Sequence, residues 1–172
     1  QDITFRGTVS QAVRAPNLSE LFGAPSGTYE FIPDPCGIDR ITDGTSSRQA
    51  NCTAILTALG IDPATFDPAG DAISPENTSL LGRSGGNRAL QEESARTWTA
   101  GVVLRPSFIP GLQIAADWYD IRIRQAINTP TAQELAELCV DQPELDNVYC
   151  ANLTRDRTTG YISDFVTQPA NV

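Results

Sequence analysis

Side chains alternate along residues 2–14. Ile3, Phe5, Val9 and Val13 fall on one face, and Thr4, Arg6, Thr8, Ser10 and Arg14 on the other. This period of two predicts a β-strand with one apolar and one polar face. Pro16, which has no N–H to donate, ends the ladder. Residues 92–105 predict a second strand. Trp98, Ala100, Val102 and Leu104 alternate with Thr97, Thr99, Gly101 and Arg105, and Val103 interrupts the polar row. Pro106–Gly111 reads as a short turn, and residues 112–127 as a third strand with Leu112, Ile114, Ala116 and Trp118 on one face and Gln113, Ala115 and Asp117 on the other. Past Trp118 the apolar positions change parity, to Tyr119, Ile121 and Ile123. A strand leaving lipid through an aromatic girdle would show that change, and so would a bulge in a soluble sheet. A fourth strand is predicted over residues 159–168, opened by Thr159-Gly160.

The connections are unequal. Residues 15–91 and 128–158 are long and rich in Gly, Pro, Asp, Asn and Ser, whereas the turn between the second and third strands is short. Connections beyond about 15 residues are uncommon inside compact soluble domains. Within the first, Arg48–Leu59 suits a short helix, and Asp62-Pro63 and Asp67-Pro68 are turn starters. Within the second, Thr131–Leu138 has a helical pattern, with Thr131 as N-cap and Glu134 as its capping-box partner. Long, short, long is the alternation of a barrel with short turns at one rim and large loops at the other. No stretch approaches the roughly 18 apolar residues of a membrane-spanning helix. Barrel strands escape that criterion because they alternate.

Composition narrows the chemistry. The net charge is −9 over 172 residues, there is no His, and all twelve basic residues are arginine. The acidic balance disfavours nucleic acid as a partner and a polybasic anchor on anionic lipid. The acids concentrate in the two long connections, as solvated loops or as a cation-attracting mouth. Without His, neither a Ser-His-Asp nor a Cys-His arrangement can form, and Glu92-Glu93 point to opposite faces of a strand, so no enzyme is predicted. Asp62, Asp67, Asp71 and Glu76 are calcium-compatible ligand types, but their spacing is not that of an EF-hand. Cys36, Cys52, Cys139 and Cys150 include no Cys-x-x-Cys pair. They fall as one local pair in each long connection. Three connectivities are possible, and Cys36–Cys52 with Cys139–Cys150 needs the least reach. Such bridges imply an oxidising compartment.

Three blocks resemble one family. Arg14-Ala15-Pro16-Asn17-Leu18-Ser19-Glu20-Leu21-Phe22 is similar to the "RAPNxxEL" segment of TonB-dependent outer-membrane receptors. Gly86-Asn87-Arg88-Ala89-Leu90-Gln91-Glu92-Glu93-Ser94 resembles their "GNPxLxPEx" segment, with Arg88 and Gln91 departing from it. Asp117-Trp118-Tyr119-Asp120-Ile121, followed by Ala126-Ile127, resembles their "DYYxIxIxxAI" strand. Arg14, Ala15, Pro16, Asn17, Glu20, Leu21, Gly86, Asn87, Glu92, Asp117 and Tyr119 carry the match.

The resemblance implies an all-β fold: an antiparallel meander of about four strands from a large transmembrane β-barrel. Residues 1–172 would be an incomplete slice of the barrel domain without plug or C-terminal strand, and 15–91 and 128–158 would be extracellular loops. It further implies a bacterial outer-membrane location and TonB-energised uptake of a scarce external solute such as a siderophore, cobalamin, saccharide or peptide. The partners would be outer-membrane lipid, an external small-molecule ligand and, through the plug, the TonB–ExbB–ExbD complex, with no cofactor. The alternative is a secreted, disulfide-stapled β-rich binding module, adhesin- or lectin-like. What covers the apolar face of Trp98, Val102, Leu112, Ile114 and Trp118 separates the two. Between Arg14 and Glu20, an ion pair pinning the chain at the barrel rim is expected ahead of a ligand contact in the lumen.

Overall fold

A computed structural model of the chain describes residues 2–172. In chain order the elements are β1 (Ile3–Arg14), α1 (Leu18–Phe22), β2 (Ser26–Glu30), α2 (Arg48–Ala58), β3 (Leu80–Ser84), β4 (Glu93–Leu104), β5 (Ile114–Arg124), β6 (Ile127–Asn128), α3 (Ala132–Asp141), β7 (Leu153–Arg155), β8 (Ile162–Thr167) and β9 (Ala170–Asn171). A 3-10 turn, Cys150–Asn152, precedes β7.

β1, β4 and β5 make a three-stranded antiparallel wall in the order β1-β4-β5. Its register runs unbroken from Ile3↔Leu104 to Arg14↔Glu93, and from Leu104↔Ile114 to Ser94↔Arg124. Paired residues share a face. One face therefore carries the rows Ile3–Leu104–Ile114, Phe5–Val102–Ala116, Gly7–Ala100–Trp118 and Val9–Trp98–Asp120. The other carries Arg6–Gly101–Asp117, Thr8–Thr99–Tyr119 and Ser10–Thr97–Ile121. From Ile3 to Val9 the apolar band is about 20 Å long along the strands. No second layer covers it among the described residues: Phe5 is 80% exposed and Trp118 59%. The change of parity past Trp118 is not a bulge, since the pairing of β5 with β4 continues through it. Asp120, Arg122 and Arg124 stay on the face of Trp118, and polar residues replace apolar ones there.

The fourth strand lies elsewhere. β8, within the predicted 159–168, does not join β5. It enters a mixed four-stranded sheet of order β2-β3-β8-β7, parallel to β3 and antiparallel to β7. The expected meander of four strands is thus a wall of three. Burial explains why: Ile162 and Phe165, three positions apart, are both buried in a core with Ile32, Ala132, Leu135 and Ala136. A wall strand would expose alternate residues to two different media, whereas β8 is packed under α3.

The long connections fold together into a cap. A second core gathers Leu56 of α2, Val140 of α3, Phe66 and both disulfides' neighbourhood. α3 begins with Thr131 accepting from the Glu134 N–H while Glu134 accepts from the Thr131 N–H, which satisfies two otherwise orphan donors. Asp62 and Asp67 start turns by accepting from the backbone N–H groups of Ala64 and Gly70. The bridges are Cys36–Cys52 and Cys139–Cys150, 16 and 11 residues apart. The first ties the segment before α2 to α2, and the second ties α3 to the 3-10 turn. Replacing Cys36 and Cys52 together by serine should destabilise the cap by about 2–4 kcal/mol. Differential scanning of the cap transition checks this, and an unchanged midpoint would show the bridge to be idle.

Candidate functional site at the rim and in the cap

The rim is assembled where β1 stops. Asn17 caps α1 by accepting from the Glu20 N–H (2.8 Å), and the Glu20 carboxylate accepts from the Asn17 N–H (2.8 Å). Arg14 donates to both Glu20 oxygens (3.2 and 3.3 Å) and reaches Glu93 at 3.5 Å. Glu93 also accepts from the Ile127 N–H (3.1 Å). The Glu20 carboxyl is held below its ordinary range, first by the Asn17 N–H and then by Arg14. The second motif docks on the first: the Gly86 N–H donates to Gly23 O (2.9 Å) and the Asn87 N–H to Glu20 O (2.7 Å). A Cβ on Gly86 would lie 2.5 Å from the Gly23 nitrogen, so only glycine permits this approach. The Asn87 side chain donates to Pro169 O (2.9 Å), and Asn171 clasps Gln91 and Gln125.

Residues 14–21 and 86–87 thus form one joint between wall and cap. Ala15 and Pro16 contribute chain path, and Leu21 donates its N–H to Asn17 O (3.1 Å). Glu92 is exposed beside this joint. Its neighbour Glu93 lies in the same motif block, where the glutamate of the pattern falls when counted from Gly86, and it is Glu93 that holds Arg14, its partner across the strands. Asp117 and Tyr119 lie apart, on the polar face of the wall. Asp117 takes a two-pronged ion pair from Arg6 (2.9 and 2.5 Å) across the intervening strand. Gly101 sits between the two, and a side chain there would collide with both.

Several clefts open in the cap. One, of about 490 Å³, is lined by Phe66, Asp67, Asp71, Thr158, Thr159 and Tyr161, with others. Tyr161 donates to Asp71 (2.7 Å), and burial followed by this acceptor pushes the phenol up to about 12. The hydroxyl is therefore a fixed donor at any working pH. Asp71 is held low, first by that bond and then by the Ile73 N–H. A second cleft, of about 450 Å³, is mostly apolar, lined by Ile55, Leu59, Leu145 and Leu153 together with Arg155 and Arg157. Among the described residues no three acidic or Cys side chains converge as a metal site. Glu76 is engaged by Arg40 (2.6 and 2.9 Å), while Asp62, Asp67 and Asp71 hold turns. These surfaces suit non-covalent capture.

Ion pairs set the cap's response to acid. Arg48 grips Asp141 at 2.8 and 2.6 Å, and this bond, with help from the Thr45 N–H, holds the Asp141 carboxyl below its ordinary value. A depressed folded-state value gives stability that is present above the unfolded-state value, about 3.9, and is lost as pH falls through the folded one. The cap should therefore loosen below about pH 4, with Asp141→Asn weaker at neutral pH and less sensitive to acid. Hydrogen exchange of α2 and α3 across pH 3–7 tests it; equal acid sensitivity in the variant would overturn it.

Residues 1–161 match the family model described as "TonB dependent receptor-like, beta-barrel". No curated protein and no solved structure matches the chain significantly.

Proposed function

The chain belongs to the TonB-dependent receptor β-barrel family, and we propose on that footing that it forms part of an outer-membrane wall whose cap captures an external solute for TonB-energised uptake. The apolar band of β1, β4 and β5 faces lipid, the Arg6–Asp117 face lines the lumen, and the cap projects outside the cell, where its disulfides persist. The turn at residues 105–113 then lies on the periplasmic side. The observation that carries this reading is the register, which gathers Ile3, Phe5, Val9, Trp98, Val102, Leu104, Ile114 and Trp118 onto one uncovered face. A secreted module would have to bury that face under a second sheet.

In the proposed mechanism the solute first meets the cap at the cleft beside Tyr161 and the apolar cleft beside Leu59. The first of these offers an aromatic pair, Phe66 and Tyr161, whose ring centroids are 5.8 Å apart, beside carboxylates and hydroxyls. The rim joint transmits the cap's position to the wall: a displaced α1 pulls on Arg14 and Glu93 directly. Sidedness is tested by single cysteines at Thr57 in the cap and Ser107 in the turn. On intact cells an impermeant maleimide should label the first, and the second only after the outer membrane is permeabilised. Uptake of labelled ferric chelates, cobalamin and oligosaccharides, with and without functional TonB, then reads the transport step. Labelling of both sites on intact cells, or recovery of the protein in the soluble fraction, would overturn the reading.

A further inference from the structure

Just beyond the apolar band, the same face of the wall turns basic. The row Gln11–Arg96–Arg122 and the row Val13–Ser94–Arg124 follow Val9–Trp98–Asp120. Arg96 and Arg122 are directly opposed across β4 and β5, an arrangement that repels unless an anion lies between. One carboxylate, Asp120, answers three arginines, and it is bound to Arg122 at 3.0 Å. Arg96 leans over the Trp98 ring, 5.1 Å from its centroid. That stacking uses the guanidinium face and leaves its N–H edge outward. Neither Arg96 nor Arg124 has an acidic partner among the described residues. A cavity of about 310 Å³ lies among these side chains.

We propose that Arg96, Arg122 and Arg124 form a site for the phosphate of an anionic lipid headgroup in the outer leaflet. The proposal rests on the reading that this face meets lipid. Continuity selects the occupant: the arginines begin where the band ends at Trp98, the depth at which headgroups replace hydrocarbon. Charge complementarity supports it, because arginine binds phosphate in its fork geometry, and these three stand out in a chain of net charge −9. The acyl chains of the same lipid would lie along Trp98, Trp118 and Val102 below.

The test uses the protein at its natural full length, reconstituted in phosphatidylcholine nanodiscs doped with diphosphoryl lipid A or with its dephosphorylated form, and retained lipid is counted by native mass spectrometry. Selective retention of the phosphorylated form is expected, falling about fivefold for each arginine replaced by glutamine. The triple Arg→Lys variant should keep part of it, and Arg83→Gln on the cap should keep all of it. Competition by inorganic phosphate alone, without lipid selectivity, would assign the site to free anions and overturn the proposal. So would equal retention of the two lipids, or retention unchanged in the triple glutamine variant. A protein that reconstitutes and resists extraction yet shows no selectivity defeats only this site; one that fails to enter the bilayer defeats the wall reading with it.

Discussion

Replacing Val102 by arginine is expected to cost the membrane-inserted protein about 2–4 kcal/mol, and the same replacement at Val103 far less. The two valines are neighbours on the central strand of the wall and are similarly half-buried. They differ in face. Val102 stands in the row Phe5–Val102–Ala116, in the interior of the apolar band, whereas Val103 stands in the row Thr4–Val103–Ala115, on the side of the Arg6–Asp117 pair. An arginine at 102 must desolvate its charge in hydrocarbon or drag water in. At 103 it meets polar side chains and, in the proposed barrel, a wet lumen. Denaturant titration of the protein folded into vesicles reads both costs. Equal costs would remove the assignment of faces, and a larger cost at 103 would reverse it.

The wall was legible because its determinant is local. Period two in residues 3–13 and 97–104 is enough to define two faces, and the short turn at residues 105–113 makes β4 and β5 antiparallel neighbours, whereas the pairing of β1 with β4 across residues 15–92 is set by matching the two faces. The parity change past Trp118 was legible as a change but not as to cause, since a bulge and a change of medium write the same letters. Pairing geometry separates them. The segment 159–168 misled for a related reason. Ile162, Phe165 and Thr167 are buried in a sheet that also needs β3, about 80 residues earlier, and nothing local announces a parallel partner at that distance. The helices of the cap were visible from Thr131-x-x-Glu134 and from the Arg48–Leu59 segment, but the ion pairs that hold the cap together are not. Arg48 with Asp141 and Arg155 with Asp34 link residues that only the fold brings together. The acidic composition also hid the three arginines beyond Trp98, because a net charge averages over faces.

Asp34→Ala is expected to weaken the cap by about 3–5 kcal/mol, a large effect for one surface-lobe residue. The Asp34 side chain is 4% exposed and that of Arg155 12%, and the guanidinium meets both carboxylate oxygens, at 2.6 and 2.8 Å. Asp34 also accepts from the Cys36 N–H (2.9 Å), and Arg155 also donates to Gly160 O (2.8 Å). One pair thereby joins the segment leading into the first disulfide to the turn between β7 and β8. That turn carries Thr158, Thr159 and Tyr161, one wall of the cleft beside Asp71. Removing the carboxylate leaves a charged group buried without its counter-ion, so Asp34→Ala should lower the cap's unfolding midpoint and speed proteolysis between Arg155 and Tyr161. The neutral pair Asp34→Asn with Arg155→Met removes both charges and should be the milder change, since the cost lies in the orphaned charge rather than in the loss of attraction. Solute capture should follow the same order, because a loosened turn no longer fixes the Tyr161 hydroxyl against Asp71. A single variant within about 1 kcal/mol of the parent would mean that the pair is solvated and contributes as little as an exposed one. A double variant as damaged as the single would place the effect in packing instead of charge.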